Sequence, residues 1–285
     1  MNAPAEAPIP IDLSTQIEAH WSIGQVRGIR RMVGGLVNQT FRIDTTAISS
    51  CILRLYRPDM TPVQIQREHD LLGRLAEVDF ALSPRLIAPV SPPSWRTLAA
   101  PVEDCRHMAL MTRLPGDDPY AWDRPPRNPK VTQTLGDTLS RYHRAVYGWR
   151  AAPGGAAACE TDMVKRLAAG FGEDPLAGRV LERLAANLNN LDREAWPALV
   201  VHGDFHAANV RWQGDTISGL FDFEYAAVNW RLYDVATALA CLATSRSSPD
   251  EGALRMDRLQ AFLAGYEDNS TPIAALPPLL PTERE

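Results

Sequence analysis

The chain has 285 residues, a formal charge of −5 and a pI near 5.7. That balance excludes a broad basic face of the kind that binds nucleic acid non-specifically, and no run of 18 apolar residues predicts a membrane span. Hydrophobic content of 45% with 22% charged residues is ordinary for a globular chain of one large or two small domains. The N-terminal residues have neither a basic stretch nor an apolar one, so no secretory signal is read. Cys51, Cys105, Cys159 and Cys241 are far apart, form no C-x-x-C pair, and read as reduced thiols of a cytoplasmic protein.

Residues 1–12 are rich in Pro and Ala and read as loose, with a helix following over Leu13 to Trp21. Ile29 to Val33 and Thr40 to Ile43 read as strands around Gly34-Gly35-Leu36-Val37-Asn38-Gln39. The two glycines let backbone amides approach a bound anion closely, although a glycine pair between strands also serves as a plain hairpin turn. Cys51 to Tyr56 is a third strand, with Ile52, Arg54 and Tyr56 on one face. Thr61-Pro62-Val63-Gln64 has the features of a capped helix start: Thr at the cap, Pro at the first position, Gln at the third. The helix should run to about Glu77, with Ile65, Glu68, Leu72 and Leu75 on one face. A carboxylate in an apolar stripe needs a partner, and Arg54 is the obvious one, with an ordinary surface ion pair as the bland alternative.

Pro84 to Val90 and Met108 to Thr112 read as further strands, with Pro92-Pro93-Ser94 and Glu103-Asp104 as turns. Arg113-Leu114-Pro115-Gly116 breaks the pattern and reads as a linker between lobes; Thr112 and Leu114 would offer backbone groups to an adenine edge. Val131, Leu135, Leu139, Tyr142 and Val146 mark the buried stripe of a long helix, with His143 packed beside it. Residues 151–158 read as loop, and helices are expected at 161–171, 175–190, 232–244 and near 253–266.

The chemistry concentrates in Val200-Val201-His202-Gly203-Asp204-Phe205-His206-Ala207-Ala208-Asn209 and in Phe221-Asp222-Phe223-Glu224. Between them Asn209 to Trp212 and Thr216 to Phe221 read as the arms of a hairpin turning at Gln213-Gly214-Asp215. A turn there pairs positions whose numbers sum to about 430, which places Asn209 and Asp222 side by side, roughly 5 Å apart at Cβ. An Asp, an Asn and an Asp at one end of a hairpin form an oxygen-rich site suited to Mg²⁺ shared with phosphates. Phosphoryl transfer needs such a metal, and a carboxylate to orient the attacking hydroxyl and take its proton. Asp204 is therefore read as the base, Asn209 and Asp222 as metal ligands. Taken singly, each residue would more often cap a turn or close a hairpin.

The same segments resemble the aminoglycoside phosphotransferase and choline kinase group, with its protein-kinase-like fold. The resemblance rests on Gly34-Gly35-Leu36-Val37-Asn38, Leu53-Arg54-Leu55-Tyr56-Arg57, Glu68, Leu110 to Gly116, His202 to Asn209, Asp222-Phe223-Glu224 and Tyr233-Asp234, spanning residues 25 to 266. A weaker likeness links Ser218 to Ala226 and Tyr233-Asp234 to the type II homoserine kinase branch. The resemblance implies an α+β bilobal fold: a strand-rich N-lobe over residues 1–113 and a helical C-lobe over 114–285. It implies that Gly34, Gly35, Asn38, Arg54, Glu68, Thr112 and Leu114 serve ATP, that Asn209 and Asp222 hold Mg²⁺, and that Asp204 is catalytic. The acceptor would be a hydroxyl of a small molecule, with neither nucleic acid nor membrane as partner.

Two departures stand out. Arg54 occupies the place where protein kinases carry Lys, and a planar fork is not a point charge. The Pro-rich stretch 276–285 disfavours a closing helix. Two rival readings are a non-catalytic nucleotide-binding relic of the fold and a metal-dependent hydrolase using His202, Asp204 and His206, whose alternation resembles a transition-metal cluster.

Overall fold

Strand β3 (Cys51–Tyr56) shows how the first part of the chain is built. Its alternating side chains are buried on both faces rather than one: Leu53 and Leu55 face one apolar cluster, Tyr56 another. Both faces of the sheet are therefore covered at β3, which lies at the centre of an antiparallel sheet. The other strands are β1 (Val26–Arg31), β2 (Gln39–Thr45), β4 (Arg96–Val102) and β5 (Cys105–Thr112), in the order β1-β2-β3-β5-β4. The computed structural model describes residues 13–32, 38–102, 104–121, 124–150, 175–189, 196–243 and 255–267. The readings at 1–12, 33–37 (with Gly34 and Gly35), 151–158, Cys159, 161–171 and 276–285 fall outside these residues.

Leu13 and Ile17 of helix α1 (Leu13–His20) join the apolar cluster that contains Ile43, Leu53, Leu55, Met108 and Leu110. Trp21, just after it, donates its indole N–H to the Ile87 carbonyl at 2.8 Å. On the other face runs α2 (Pro62–Glu77), which begins as its sequence predicts: Thr61 accepts from the Gln64 amide, and the Gln64 side chain accepts from the Thr61 amide. Ile65, Glu68, Leu72 and Leu75 are all buried. Pro84 to Val90 is not a strand. Leu86 makes one isolated bridge to Met111, and its flanking prolines cannot donate to a ladder. The edge position is taken instead by β4, where Pro101 is tolerated because an edge strand need not donate on both sides.

The chain divides into two compact units, one comprising residues 1–118 with 210–221, the other 119–209 with 222–285. In the first unit a hairpin of β7 (Val210–Gln213) and β8 (Thr216–Leu220) docks on the segment after β5; β6 (Ala198–Val201) belongs to the second unit. Asp117 and Trp212 exchange backbone hydrogen bonds at 2.9 and 3.0 Å, Ser218 Oγ donates to the Pro115 carbonyl at 2.8 Å, and the Leu220 amide donates to the Leu82 carbonyl at 2.7 Å.

The second unit is mostly helical. It contains α3 (Pro129–Val146), α4 (Pro175–Asn189), α5 (Arg231–Ala243) and α6 (Met256–Glu267), with a two-stranded pair of β6 (Ala198–Val201) and β9 (Ala227–Trp230). The predicted stripe Val131, Leu135, Leu139, Tyr142, Val146 is buried along α3. Where α3 crosses α6 two glycines bring backbones into contact: a Cβ on Gly136 would lie 2.0 Å from the Phe262 carbonyl oxygen, and one on Gly265 2.0 Å from that of Gln133. Among the described residues no helix is long and apolar enough to cross a membrane.

Candidate active site

The loop from His202 to Asn209 follows β6 and ends in a 3-10 turn, Ala207–Asn209. Gly203 has φ +85, and a Cβ there would lie 2.3 Å from the Tyr225 carbonyl oxygen, so both conformation and space demand glycine. The 3-10 turn brings Asn209 back onto Asp204: its Nδ2 donates to the Asp204 carbonyl oxygen at 2.8 Å and to Asp204 Oδ2 at 3.0 Å. With the amide's donor side thus spent, Oδ1 is the atom it has left to offer a cation.

Asp222 opens a second 3-10 turn, Phe223–Tyr225, with φ 70 and ψ 61. A left-handed Asp costs of order 1 kcal/mol and is held only where surroundings enforce it. Here the enforcement is Phe223, fully buried with its ring 4.9 Å from that of His202 and 5.8 Å from that of Tyr142. The turn that carries Asp222 thus packs on the loop that carries Asp204. The hairpin register is close to the expected one: Val210 pairs Leu220 and Arg211 pairs Gly219, before a bulge shifts the ladder by one toward the turn. Val210 and Leu220 are the outermost pair of the ladder, so Asn209 lies one residue before it and Asp222 two residues after it.

The Asp204 carboxyl is driven up by burial, but the hydrogen bond and charge of His206, the charge of His202 and the Asn209 amide outweigh burial and hold it below the usual carboxylate range. His206 Nε2 lies 3.5 Å from Asp204 Oδ2, while its Nδ1 accepts from the Ala208 amide at 3.2 Å. His202 turns inward. It is fully buried, its ring packs edge-on against Tyr142 and Phe205, and its Nδ1 accepts from the Asp204 amide at 3.3 Å. Among the described residues no group of three or more His, Cys, Asp or Glu side chains is placed to hold a metal ion. The hydrolase cluster read at His202, Asp204 and His206 is therefore corrected: a ring at a loop's core cannot also ligate at its surface.

Beneath the loop lies a residue that sequence reasoning gave no role. Asp234 in α5 is fully buried and accepts from the His202 amide at 2.6 Å, the Gly203 amide at 2.8 Å and His143 Nε2 at 3.0 Å. Burial lowers His143 against the raising influence of Asp234, which keeps the ring neutral. A neutral ring donating from Nε2 must accept at Nδ1, so the Tyr266 hydroxyl, 2.7 Å away, is the donor there. The available signal was a carboxylate in the first turn of an otherwise apolar helix, Arg231-Leu-Tyr-Asp234-Val-Ala-Thr-Ala-Leu-Ala.

In the first unit Arg54 Nη1 donates to Glu68 Oε1 at 2.5 Å, with Arg54 8% and Glu68 4% exposed, so the pair is buried rather than a surface bridge. Asn38 is buried and its Oδ1 accepts from the Arg57 amide at 3.0 Å, bracing the end of β3. Thr112 spends its amide and hydroxyl on Arg85, each at 2.8 Å, and Leu114 packs on Gly219 of the hairpin.

An antiparallel N-terminal sheet flanked by a helix with a buried Arg–Glu pair, and a helical unit carrying an Asp-x4-Asn loop followed by an Asp turn, define a kinase-like phosphotransferase. Comparison with known proteins agrees. The chain belongs to the phosphotransferase enzyme family, whose profile matches residues 28–270. It is 29% identical over 266 residues to the homoserine kinase of Gluconacetobacter diazotrophicus, covering 87% of this chain and 74% of that one. It is 30% identical over 243 residues to the homoserine kinase of Rhodospirillum rubrum, covering 80% and 68%. Among solved structures it resembles the amicoumacin kinase hAmiN in complex with AMP-PNP and Ca²⁺ (TM-score 0.70, 16% identity, 88% and 75% covered). A microcompartment-associated aminopropanol kinase is also similar (TM-score 0.63, 19% identity, 94% and 82% covered). The chain is an ATP-dependent phosphotransferase that moves the γ-phosphoryl group to a hydroxyl of a small molecule.

Proposed function

We propose that the acceptor is a small hydroxyl-bearing amino acid or amino alcohol of the homoserine type, and that the reaction uses Mg·ATP. The acceptor class is supported by the homoserine kinases at 29–30% identity that span most of this chain. The roles of the residues are supported above all by the two hydrogen bonds from Asn209 Nδ2 to Asp204. They aim the Asp204 carboxylate while leaving the Asn209 carbonyl oxygen as a hard donor. Asp222 supplies further hard oxygens, and a carbonyl with carboxylates is a donor set that fits Mg²⁺ rather than a softer ion. Bound to Asn209 and Asp222, the metal would neutralise charge on the ATP phosphates. Asp204 orients the acceptor hydroxyl and receives its proton as the new O–P bond forms. A carboxylate held below its usual range is a weak base, so its main contribution is orientation, with the proton arriving late. Arg54, fixed by Glu68, holds nucleotide phosphates, a role shared with Gly34 and Gly35, and Thr112 and Leu114 border the adenine through their backbone carbonyls.

ADP release would be measured with Mg·ATP against L-homoserine, amino alcohols, choline and aminoglycosides. The reading expects turnover with the first or second class. It also expects Asp204→Asn to lower kcat about 10²- to 10⁴-fold with Mg·ATP affinity kept. Aminoglycoside or choline turnover with no homoserine or amino-alcohol activity would overturn the acceptor class. Unimpaired kcat in Asp204→Asn would overturn the base.

A further inference from the structure

Arg54 and Tyr56 lie two residues apart on β3 and so project from the same face, toward α2. Two bonds cross that gap side by side. Arg54 Nη1 meets Glu68 Oε1 at 2.5 Å, and Tyr56 Oη meets His69 Nε2 at 2.8 Å. The Arg54 guanidinium also stands 5.7 Å from the centre of the Tyr56 ring, so the second bond braces a residue that the cation leans on. The His69 ring is spanned from its other side: Nδ1 lies 2.5 Å from Ser94 Oγ. Ser94 is not a loose loop residue. The neighbouring Arg96 guanidinium donates to the carbonyls of Ser91, Pro93 and Trp95, which closes the segment around a buried cation. One imidazole, 3% exposed, thus ties together β3, α2 and the segment leading into β4.

The chemistry suits a fixed spacer. A neutral imidazole donates at one nitrogen and accepts at the other, and both hydroxyls can answer either way. Burial first, and then the nearby Arg54 charge, push His69 down to about 4. The ring therefore brings no charge to compete with Arg54 for Glu68. His69 and Tyr56 are buried, the arrangement lies off the reaction path, and the family assignment leaves it without a role.

We propose that Tyr56, His69 and Ser94 form a positioning clamp that fixes the Arg54–Glu68 pair and, through it, the grip of this unit on the nucleotide triphosphate. The proposal rests on the phosphate-holding role given to Arg54 above. The clamp touches no substrate; it acts by keeping α2 in register with β3, so that Glu68 holds Arg54 in one orientation.

The test is a cycle of variants, Tyr56→Phe and Ser94→Ala, each made in the native chain and in Arg54→Ala. The dissociation constant of Mg·AMP-PNP is read by calorimetry, together with the melting temperature without nucleotide. Loss of one buried hydrogen bond that positions a charge should weaken Mg·AMP-PNP about three- to tenfold in the native background. In Arg54→Ala the same substitutions should leave the constant within about 1.5-fold, because the residue they position is gone. Equal losses in both backgrounds would show a general structural role and overturn the clamp, as would no loss in the native chain. Where Arg54→Ala does not fold, Arg54→Met, which keeps the side-chain bulk and removes the guanidinium, serves as the background. An Arg54→Ala chain that binds Mg·AMP-PNP as tightly as the native one would remove the phosphate role itself, a result distinct from a clamp that fails while Arg54 still counts.

Discussion

The sharpest prediction concerns Asp234→Asn. Three donors converge on this fully buried carboxylate: the amides of His202 and Gly203 and Nε2 of His143, at 2.6, 2.8 and 3.0 Å. The first and third share Oδ2, the second has Oδ1. An Asn side chain fits the same volume but has one acceptor oxygen. Set at the Oδ2 position, it keeps two partners and turns its NH2 toward the Gly203 amide, donor against donor. The charge-assisted character of the bonds is lost as well. A charge-assisted bond is worth about 1.5–3 kcal/mol, and a buried donor left unpaired costs about 1–3. These overlap, so a loss of about 2–4 kcal/mol is expected, a large share of a typical folding stability of about 5–15 kcal/mol. Because the Gly203 amide directly precedes Asp204, its displacement also disturbs the residue proposed as the base. A shift of about 1 Å at such a group costs on the order of 10²-fold in rate. Urea unfolding followed by tryptophan fluorescence, with ADP release beside it, measures both. Tyr266→Phe is the control: it removes one hydrogen bond to His143, two bonds away from the loop, and should cost about 1 kcal/mol with turnover within about threefold. An Asp234→Asn protein that loses less than about 1 kcal/mol and turns over normally would refute the reasoning.

Two further perturbations follow from the same geometry. His206→Ala should move the acid limb of kcat/KM to higher pH. His206 is a main cause of the lowered Asp204 carboxyl, and the role proposed for Asp204 needs that carboxyl ionised. The sign for stability agrees: a lowered carboxyl stabilises the fold above its unfolded value and loses that contribution as pH falls through the folded one, so the variant should show less of this acid-dependent loss. A limb unchanged between pH 3 and 6 (about the carboxylate range) would dismiss the His206 influence. Gly136→Ala should lower the melting temperature, since its Cβ would meet the backbone of Phe262 at 2.0 Å and of Tyr266 at 2.8 Å, an overlap costing about 1–3 kcal/mol or more. Gly73→Ala, with nothing within 4 Å in the middle of α2, should raise it by removing a glycine from a helix, worth about 0.5–1 kcal/mol. Shifts of the same sign would contradict the described α3–α6 crossing.

What could be read from the sequence was local. The capping box of α2, the buried stripe of α3 and the β7–β8 hairpin each depend on residues a few positions apart, and all three are present. The Arg54–Glu68 pair was legible because a carboxylate in an apolar stripe demands a partner, and the neighbouring strand offered one. What escaped was set by tertiary partners. Strand β4, Arg96-Thr-Leu-Ala-Ala-Pro-Val102, has no strong alternation and carries a proline that only an edge position excuses. Pro84 to Val90 has the apolar content of a strand but prolines that stop it from pairing continuously. The pair β6–β9 joins two four-residue segments separated by the whole hairpin, too short for periodicity to mark. Asp234 was visible only as part of Tyr233-Asp234. Its function depends on donors from residues about thirty positions earlier and on a histidine of α3, and no local pattern encodes that meeting.

The loop's chemistry and its support are carried by different atoms, and that separation explains the residue types. Asp234 holds the loop through the backbone amides of His202 and Gly203, so the side chain of Asp204 does no anchoring work inside α5. Gly203 must be glycine because the loop passes within contact distance of the Tyr225 carbonyl. His202 must face inward, since its ring fills the space against Phe223 that positions Asp222. With backbone and ring assigned to structure, the Asp204 carboxylate meets Asn209 and His206 at its side, two groups that aim it and hold it below the usual carboxylate range. In the proposed role, a base supported from below and steered from the side can accept a small hydroxyl of varied shape without rebuilding the loop. Acceptor choice in such a protein must therefore be set by residues outside His202–Asn209, which is why the loop identifies the reaction far more strongly than it identifies the acceptor.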